Sequence, residues 1–187
     1  MAENKVKFGL KNVHIAPITE GENGAVTFGT PFALPGAVNL SVDPQGDQSE
    51  FYADDMAYFV SYQNNGYSGT LEIARITDEF RTKILGEILD GSDKVLLEKS
   101  DAKTVDFAML YEVNGDVKAS RKLFYRCAVS RPSESASTTT NTKEPGTETL
   151  NITVSPLADG RVRASTTAET VETAYNSWYE KVWEPTV

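Results

Sequence analysis

An Asn-Gly dipeptide between two runs of alternating apolar residues constrains a chain more tightly than any other short feature, and Asn65-Gly66 holds that position in FYADDMAYFVSYQNNGYSGTLEIARI (51–76). A two-residue loop of type I′ needs φ > 0 at both central residues, and Asn-Gly adopts that geometry at little steric cost. With this loop Asn64 faces Tyr67, and Tyr62 with Gly69, Val60 with Leu71 and Tyr58 with Ile73 fall on one apolar face. The opposite face sets Phe59 against Glu72 and Ser61 against Thr70. The pattern predicts a β-hairpin with one side on a core and the other towards water or a partner.

Upstream, residues 6–18 (VKFGLKNVHIAPI) read as extended and end at Pro17, but Lys7, Gly9, Lys11 and His14 interrupt the alternation. Either a strand or an N-terminal arm (about 1–18) lying against a neighbour fits. VTFGTPFAL is a short strand broken by Pro31, and AVNLSV places Val38, Leu40 and Val42 on one side. The polar loop DPQGDQSE (43–50) carries Asp43, Asp47 and Glu50 without the ligand spacing of an EF-hand, so calcium is not expected.

Downstream the apolar period changes from 2 to 3.6. Thr77 suits an N-cap, Asp78 and Glu79 occupy the first turn, and Phe80, Ile84, Leu85, Ile88 and Leu89 form one stripe, which predicts a helix over 77–90 ended by Gly91. Gly86 in its interior lowers helix stability by about 1 kcal/mol relative to alanine. A second hairpin joins VDFAMLYEV to VKASRKLFYRCAVS. A two-residue loop would set Phe107 against Lys122; a three-residue loop sets Phe107 against Leu123 and Val105 against Tyr125, and packs better.

Residues 132–144 (PSESASTTTNTKE) contain nothing that could anchor to a core and read as a long mobile loop. ETLNITVSP puts Leu150, Ile152 and Val154 on one face, and Asp159-Gly160 turns it into RVRASTT as a final hairpin. Tyr175, Trp178, Tyr179 and Trp183 suit a short helix or an aromatic arm over about 170–187. The expected fold is β-rich α+β, an antiparallel sandwich or partly closed barrel with one flanking helix, as a single domain over 1–187.

Chemistry is sparse. No nucleophile elbow, phosphate-binding loop or metalloprotease motif occurs, and the single histidine, His14, has no companion for a metal site. Neither cofactor nor catalytic residue is expected. Cys127 stands alone, which rules out an internal disulfide and reads as a small buried hydrophobe. No apolar run approaches the ~20 residues of a membrane span, and MAENKVKF lacks the apolar core of a signal peptide.

The block FYADDMAYFVSYQNNGYSGTLEIARI resembles the corresponding part of the major tail proteins, or tail tube proteins, of long-tailed phages with non-contractile tails. VKFGLKNVHIAPIT, GTPFALPGAVNLSVDPQGD, ASRKLFYRCAVSRP and EPGTETLNITVSP resemble the same family in the same order. The resemblance weakens only in the last twenty or so residues. It implies a structural subunit of the virion tail that forms rings, usually hexameric, assembled in the host cytoplasm and stacked into a tube through which the genome is ejected. Its partners would be further copies of itself and other tail proteins at the tube ends, with DNA passing through without specific binding and no membrane involved. Pattern and composition by themselves allow a second class, a monomeric β-sandwich module that binds a ligand such as a carbohydrate through Tyr52, Tyr62 or Tyr67.

Charge adds one more expectation. The net charge is −9, and between Lys11 and Arg75 there is no lysine or arginine, while Glu20, Glu22, Asp43, Asp47, Glu50, Asp54, Asp55 and Glu72 are acidic. Such a block repels phosphate and gives no footing for binding nucleic acid by charge neutralisation. It reads either as a solvated surface or, under the tube resemblance, as a channel wall or inter-ring contact, with Asp43, Asp47, Glu50, Asp54, Asp55 and Glu72 as the candidates.

Overall fold

The computed structural model describes residues 3–138 and 145–186. In chain order its strands are β1 (Lys7–Glu20), β2 (Val26–Phe28), β3 (Phe32–Ala33), β4 (Ala37–Pro44), β5 (Gln48–Ala53), β6 (Met56–Tyr62) and β7 (Tyr67–Ile73). Helix α1 (Asp78–Lys83) follows, then β8 (Ile88–Leu89), β9 (Leu96–Leu97), β10 (Phe107–Gly115), β11 (Ser120–Val129), β12 (Glu148–Val154), β13 (Arg163–Ser165) and helix α2 (Glu172–Asn176).

Strand β10 lies at the centre of the packing because its residues from Phe107 to Glu112 are buried on both faces. Phe107, Met109 and Tyr111 point into one core, and Ala108 and Leu110 into another. Around it the main antiparallel sheet runs β2-β1-β10-β11-β12-β7-β4, with β3 added to β1 and β13 to β11. The sheet curls, so that Val13 and Ile15 of β1 share the first core with Leu71 and Ile73 of β7 and with Leu40 and Val42 of β4, yet β1 and β4 are not hydrogen-bonded to each other. The result is a β-rich, open structure with α1 on its flank: Phe80, Ile84 and Leu85 enter the same core, and the Phe80 ring meets Phe107 edge-on at 5.8 Å.

The second core lies on the outside of β1, β10 and β11, covered by the C-terminal segment through Trp178 and Val182. This apolar layer ends at Glu112, a carboxylate only 3% exposed. Lys11 reaches it at 3.1 Å and Arg121 at 3.0 Å. The Arg121 guanidinium also lies 3.9 Å from the Tyr175 ring centroid and 4.9 Å from that of Tyr179, and it donates to the Tyr175 carbonyl. One buried charge thereby draws in the cation that ties down the end of the chain.

Several local expectations are met. Leu150, Ile152 and Val154 are buried in alternation, and the Thr77 side chain caps α1 by accepting from the Phe80 N–H. Cys127 is fully buried, and burial pushes its thiol pKa up. Of the alternatives left open, residues 7–20 form a strand rather than an arm; Tyr175 falls on the short helix α2, Trp178 and Tyr179 on a following 3-10 turn, Ser177–Tyr179, and Trp183 beyond both.

Other expectations are corrected. The Asn65-Gly66 hairpin does not form: β7 pairs with β4 and β12, and β6 pairs with β5. Long-range burial of Leu71 and Ile73 holds β7 in the main sheet, while Tyr58, Val60 and Tyr62 are exposed rather than packed on a core. The helix stops at Lys83, because Gly86 takes φ +76 and turns the chain; Ile88 and Leu89 form β8 instead of a fourth turn, so Gly91 does not end it. The pairing of β10 with β11 sets Phe107 opposite Cys127 and Leu110 opposite Leu123, so the loop is longer than either candidate. Its residues are held by the N-terminal segment: Asn4 Oδ1 accepts from the N–H groups of Val117 and Lys118, each at 3.0 Å.

Two smaller expectations also change. The Asp159-Gly160 turn is present, closed by a Gly160 N–H to Leu157 carbonyl bond, but β13 then pairs with β11 instead of returning along β12. A bulge falls between Ala37 and Asn39, and Val38 there is exposed, while Leu40 and Val42 pack against the core. Of the long loop, 132–138 have no regular structure; the rest of 132–144 lies outside the described residues.

Replacing Arg121 by Met removes one partner of a buried charge and the anchor of the C-terminal segment. The expected outcome is a loss of about 3 kcal/mol in urea unfolding, with amide exchange accelerated in residues 172–183.

Candidate functional site

Two surfaces stand out because neither is covered within the chain. The first is the β5–β6 hairpin, which continues the β4–β7 ladder outwards. Hydrogen bonds from Gln45 N–H to the Gly66 carbonyl and from Asn65 N–H to the Gln45 carbonyl carry the ladder across the junction. Gly66 has φ +99, and a Cβ built there would lie 1.9 Å from the Val154 carbonyl oxygen; one at Gly46 would lie 1.8 Å from that of Gln63. The Asn-Gly dipeptide thus serves as a joint in a strand, with Asn64 Oδ1 accepting from the Gly66 N–H at 3.1 Å. The reversal expected there occurs at Asp54 and Asp55, whose φ values of 52° and 57° supply the two positive angles of a tight hairpin turn. Aspartate tolerates this region better than most residues with a side chain.

The hairpin register sets Phe51 opposite Phe59, Glu50 opposite Val60, Tyr52 opposite Ala57 and Gln48 opposite Tyr62. Successive residues of a strand point to opposite faces. Phe51 and Phe59 therefore lie on one side, and Tyr52, Val60 and Tyr62 on the other. All are exposed, with Phe51 at 62%, Phe59 at 61% and Tyr62 at 76%. Tyr52 Oη donates to Glu50 Oε2 at 2.6 Å, and that carboxylate raises the phenol's pKa.

The second surface is the outer face of β4, β7 and β12, where the inner face carries Leu40, Leu71 and Leu150. The registers align its outward residues in three rows: Asp43 with Ser68 and Thr153, Ser41 with Thr70 and Asn151, and Asn39 with Glu72 and Thr149. Every member is a hydroxyl, an amide or a carboxylate, and no cation interrupts them. Glu72 Oε1 accepts from the Thr147 hydroxyl at 2.7 Å.

The acidic candidates are therefore divided. Asp43 and Glu72 sit on the polar sheet face, whereas Asp47, Glu50, Asp54 and Asp55 lie along the hairpin, with the last two at its tip. Sequence reasoning named all six as candidates without separating them, and it did not single out the serine, threonine and asparagine rows between Asp43 and Glu72. The alternation in ETLNITV carried that signal, since every polar residue between its apolar ones had to face outwards. Tyr67 is partly buried with its ring 5.4 Å from that of Phe124, so it shares no platform with Tyr52 and Tyr62.

His14 lies 3.0 Å from the Asn12 carbonyl and 4.5 Å, ring to ring, from Tyr179. Among the described residues no group of three His, Cys, Asp or Glu side chains converges as a metal site, and no helix is long and apolar enough to cross a membrane.

Gly66→Ala is expected to destabilise the fold by about 1–3 kcal/mol, the range for enforced backbone strain, in equilibrium urea unfolding. Gly91→Ala, which meets open space, should change stability by less than about 0.5 kcal/mol. No protein-family model matches this chain, and no curated protein matches it.

Proposed function

We propose that this chain is the structural subunit of a phage tail tube, forming rings, hexameric by the resemblance noted above, that stack around a channel for DNA. The observation that carries this reading is the β5–β6 hairpin, which exposes aromatic side chains on both faces. A two-stranded hairpin is marginal in water by itself, and apolar surface grouped in this way marks a site of protein contact. Further copies of the same chain supply that contact, with other tail proteins at the tube ends and the virion tail as the destination.

The polar face of β4, β7 and β12 suits a channel lining. It offers no lysine or arginine to hold a phosphate, and Asp43 and Glu72 repel one. Each charge acts over only about 8 Å at physiological salt, but repetition around a ring and confinement within a channel add many such terms. Nothing in this role calls for catalysis or a cofactor.

Purified protein should give rings or tubes in negative-stain images and a mass above that of the 20.5 kDa monomer. A protein that stays monomeric at all concentrations would favour an isolated binding module instead. Hydrogen exchange should show the amides of residues 48–62 better protected in tubes than in free subunits. Within assembled tails, Asp43→Lys with Glu72→Lys should leave ring stacking intact while slowing DNA release and increasing DNA adhesion, more so at low salt. Disrupted stacking with unchanged release would instead make this face a subunit interface.

A further inference from the structure

Where the curled sheet fails to close, between β4 and the first residues of β1, it leaves a cleft of about 620 Å³. Leu40, Tyr67 and Phe124 contribute apolar walls, and Lys7, Lys122 and Arg163 bring three cations to it. None of the three is in an ion pair among the described residues, whereas Lys11, Arg81, Arg121, Arg126 and Arg161 all have carboxylate partners. Arg163 rests over the Tyr67 ring at 5.6 Å. Burial first, and then the like charges of Lys7 and Arg163, hold the Lys122 ammonium below the usual lysine range. The cleft therefore favours an occupant that is apolar and carries negative charge.

The hairpin tip combines those two properties. Asp54 and Asp55 stand side by side at the turn, with Phe51, Met56 and Phe59 exposed just behind them. A chain's own tip is solvent-exposed, so it does not fill its own cleft.

We propose that the β5–β6 tip of one copy seats in the β1/β4 cleft of a second copy, with Asp54 and Asp55 against Lys7, Lys122 and Arg163 and the apolar side chains against the walls. This rests on the self-assembly reading above and gives it a specific contact. The contact joins two different surfaces, and every copy carries both, so it propagates from subunit to subunit instead of stopping at a dimer; a rotation that closes makes a ring.

Charge exchange and cross-linking test it. A cleft variant (Lys7→Glu with Lys122→Glu) and a tip variant (Asp54→Lys with Asp55→Lys) should each raise the concentration needed for assembly by about tenfold or more. Mixing the two should restore assembly, because each tip then meets a cleft of opposite sign. Independently, Asp55→Cys protein mixed with Lys7→Cys protein should form an intermolecular disulfide under mild oxidation, while Asp101→Cys in place of Lys7→Cys should not; the native thiol, Cys127, is fully buried. Thermal melts of each variant separate loss of contact from loss of fold, and the cysteine pair tests the contact without charge reversal.

If wild-type protein forms tubes but shows neither the cross-link nor the rescue, the cleft contact is wrong while the tube reading stands. Cleft reversals that block assembly without rescue by the tip variant would mean that something other than the tip, such as a free anionic ligand, occupies the cleft, and would also overturn the proposal. A wild-type protein that never assembles would remove both readings together.

Discussion

Burial of β10 on both faces is the constraint on which the rest of the molecule depends. An antiparallel strand covered on one side only needs a single apolar face, and β12 follows that pattern. In β10 both sets of side chains are occupied, one by the interior of the curled sheet and one by the C-terminal segment. Neighbouring β1 and β11 are thereby held in place, and the curvature they pass on brings β4 round towards β1. Glu112 ends the outer layer with a charge, and desolvating a carboxylate is unfavourable unless cations and hydrogen bonds compensate. Lys11 and Arg121 do so, and Arg121 in turn orders Tyr175 and Tyr179 against the sheet.

The two uncovered surfaces have opposite chemistry although one ladder carries them both. Below the glycine joint, β4 and β7 expose polar residues and, Val38 apart, turn their apolar ones towards the core. Above it, β5 and β6 expose apolar residues on both faces and hide none. A strand pair of that kind gains most when another protein covers it, whereas the polar face loses little by remaining wet. The joint lets one continuous pair of strands serve two directions, because Gly46 and Gly66 permit the backbones of Gln63 and Val154 to approach more closely than any side chain would allow.

The places where local rules and observed structure part are instructive. A glycine at positive φ suits a hairpin apex and a mid-strand joint equally, so Asn65-Gly66 could not by itself distinguish them. Asp54-Asp55 is a weaker turn signal, yet it makes the turn, because β7 gains more by lying between β4 and β12 than by pairing with β6. The stripe through Phe80, Ile84 and Leu85 continued into Ile88 and Leu89 by period alone, while Gly86 ended the helix through backbone geometry. The offset between β10 and β11 leaves a longer loop that Asn4 holds at Val117 and Lys118, a contact far outside any local window.

What the sequence by itself determined is therefore local in kind. The alternation at Leu150, Ile152 and Val154, the cap at Thr77, the turn at Asp159-Gly160, the burial of Cys127 and the acidic stretch without cations each depend on a few neighbouring residues and their intrinsic preferences. Only the tertiary structure decided which strand lies beside which, that Asp43 and Glu72 share a sheet face while Asp54 and Asp55 stand at a tip, and that Lys7, Lys122 and Arg163 converge on one cleft. Side-chain periodicity determines which residues share a face, but the partner of that face is chosen by the total area that the whole chain can bury at once.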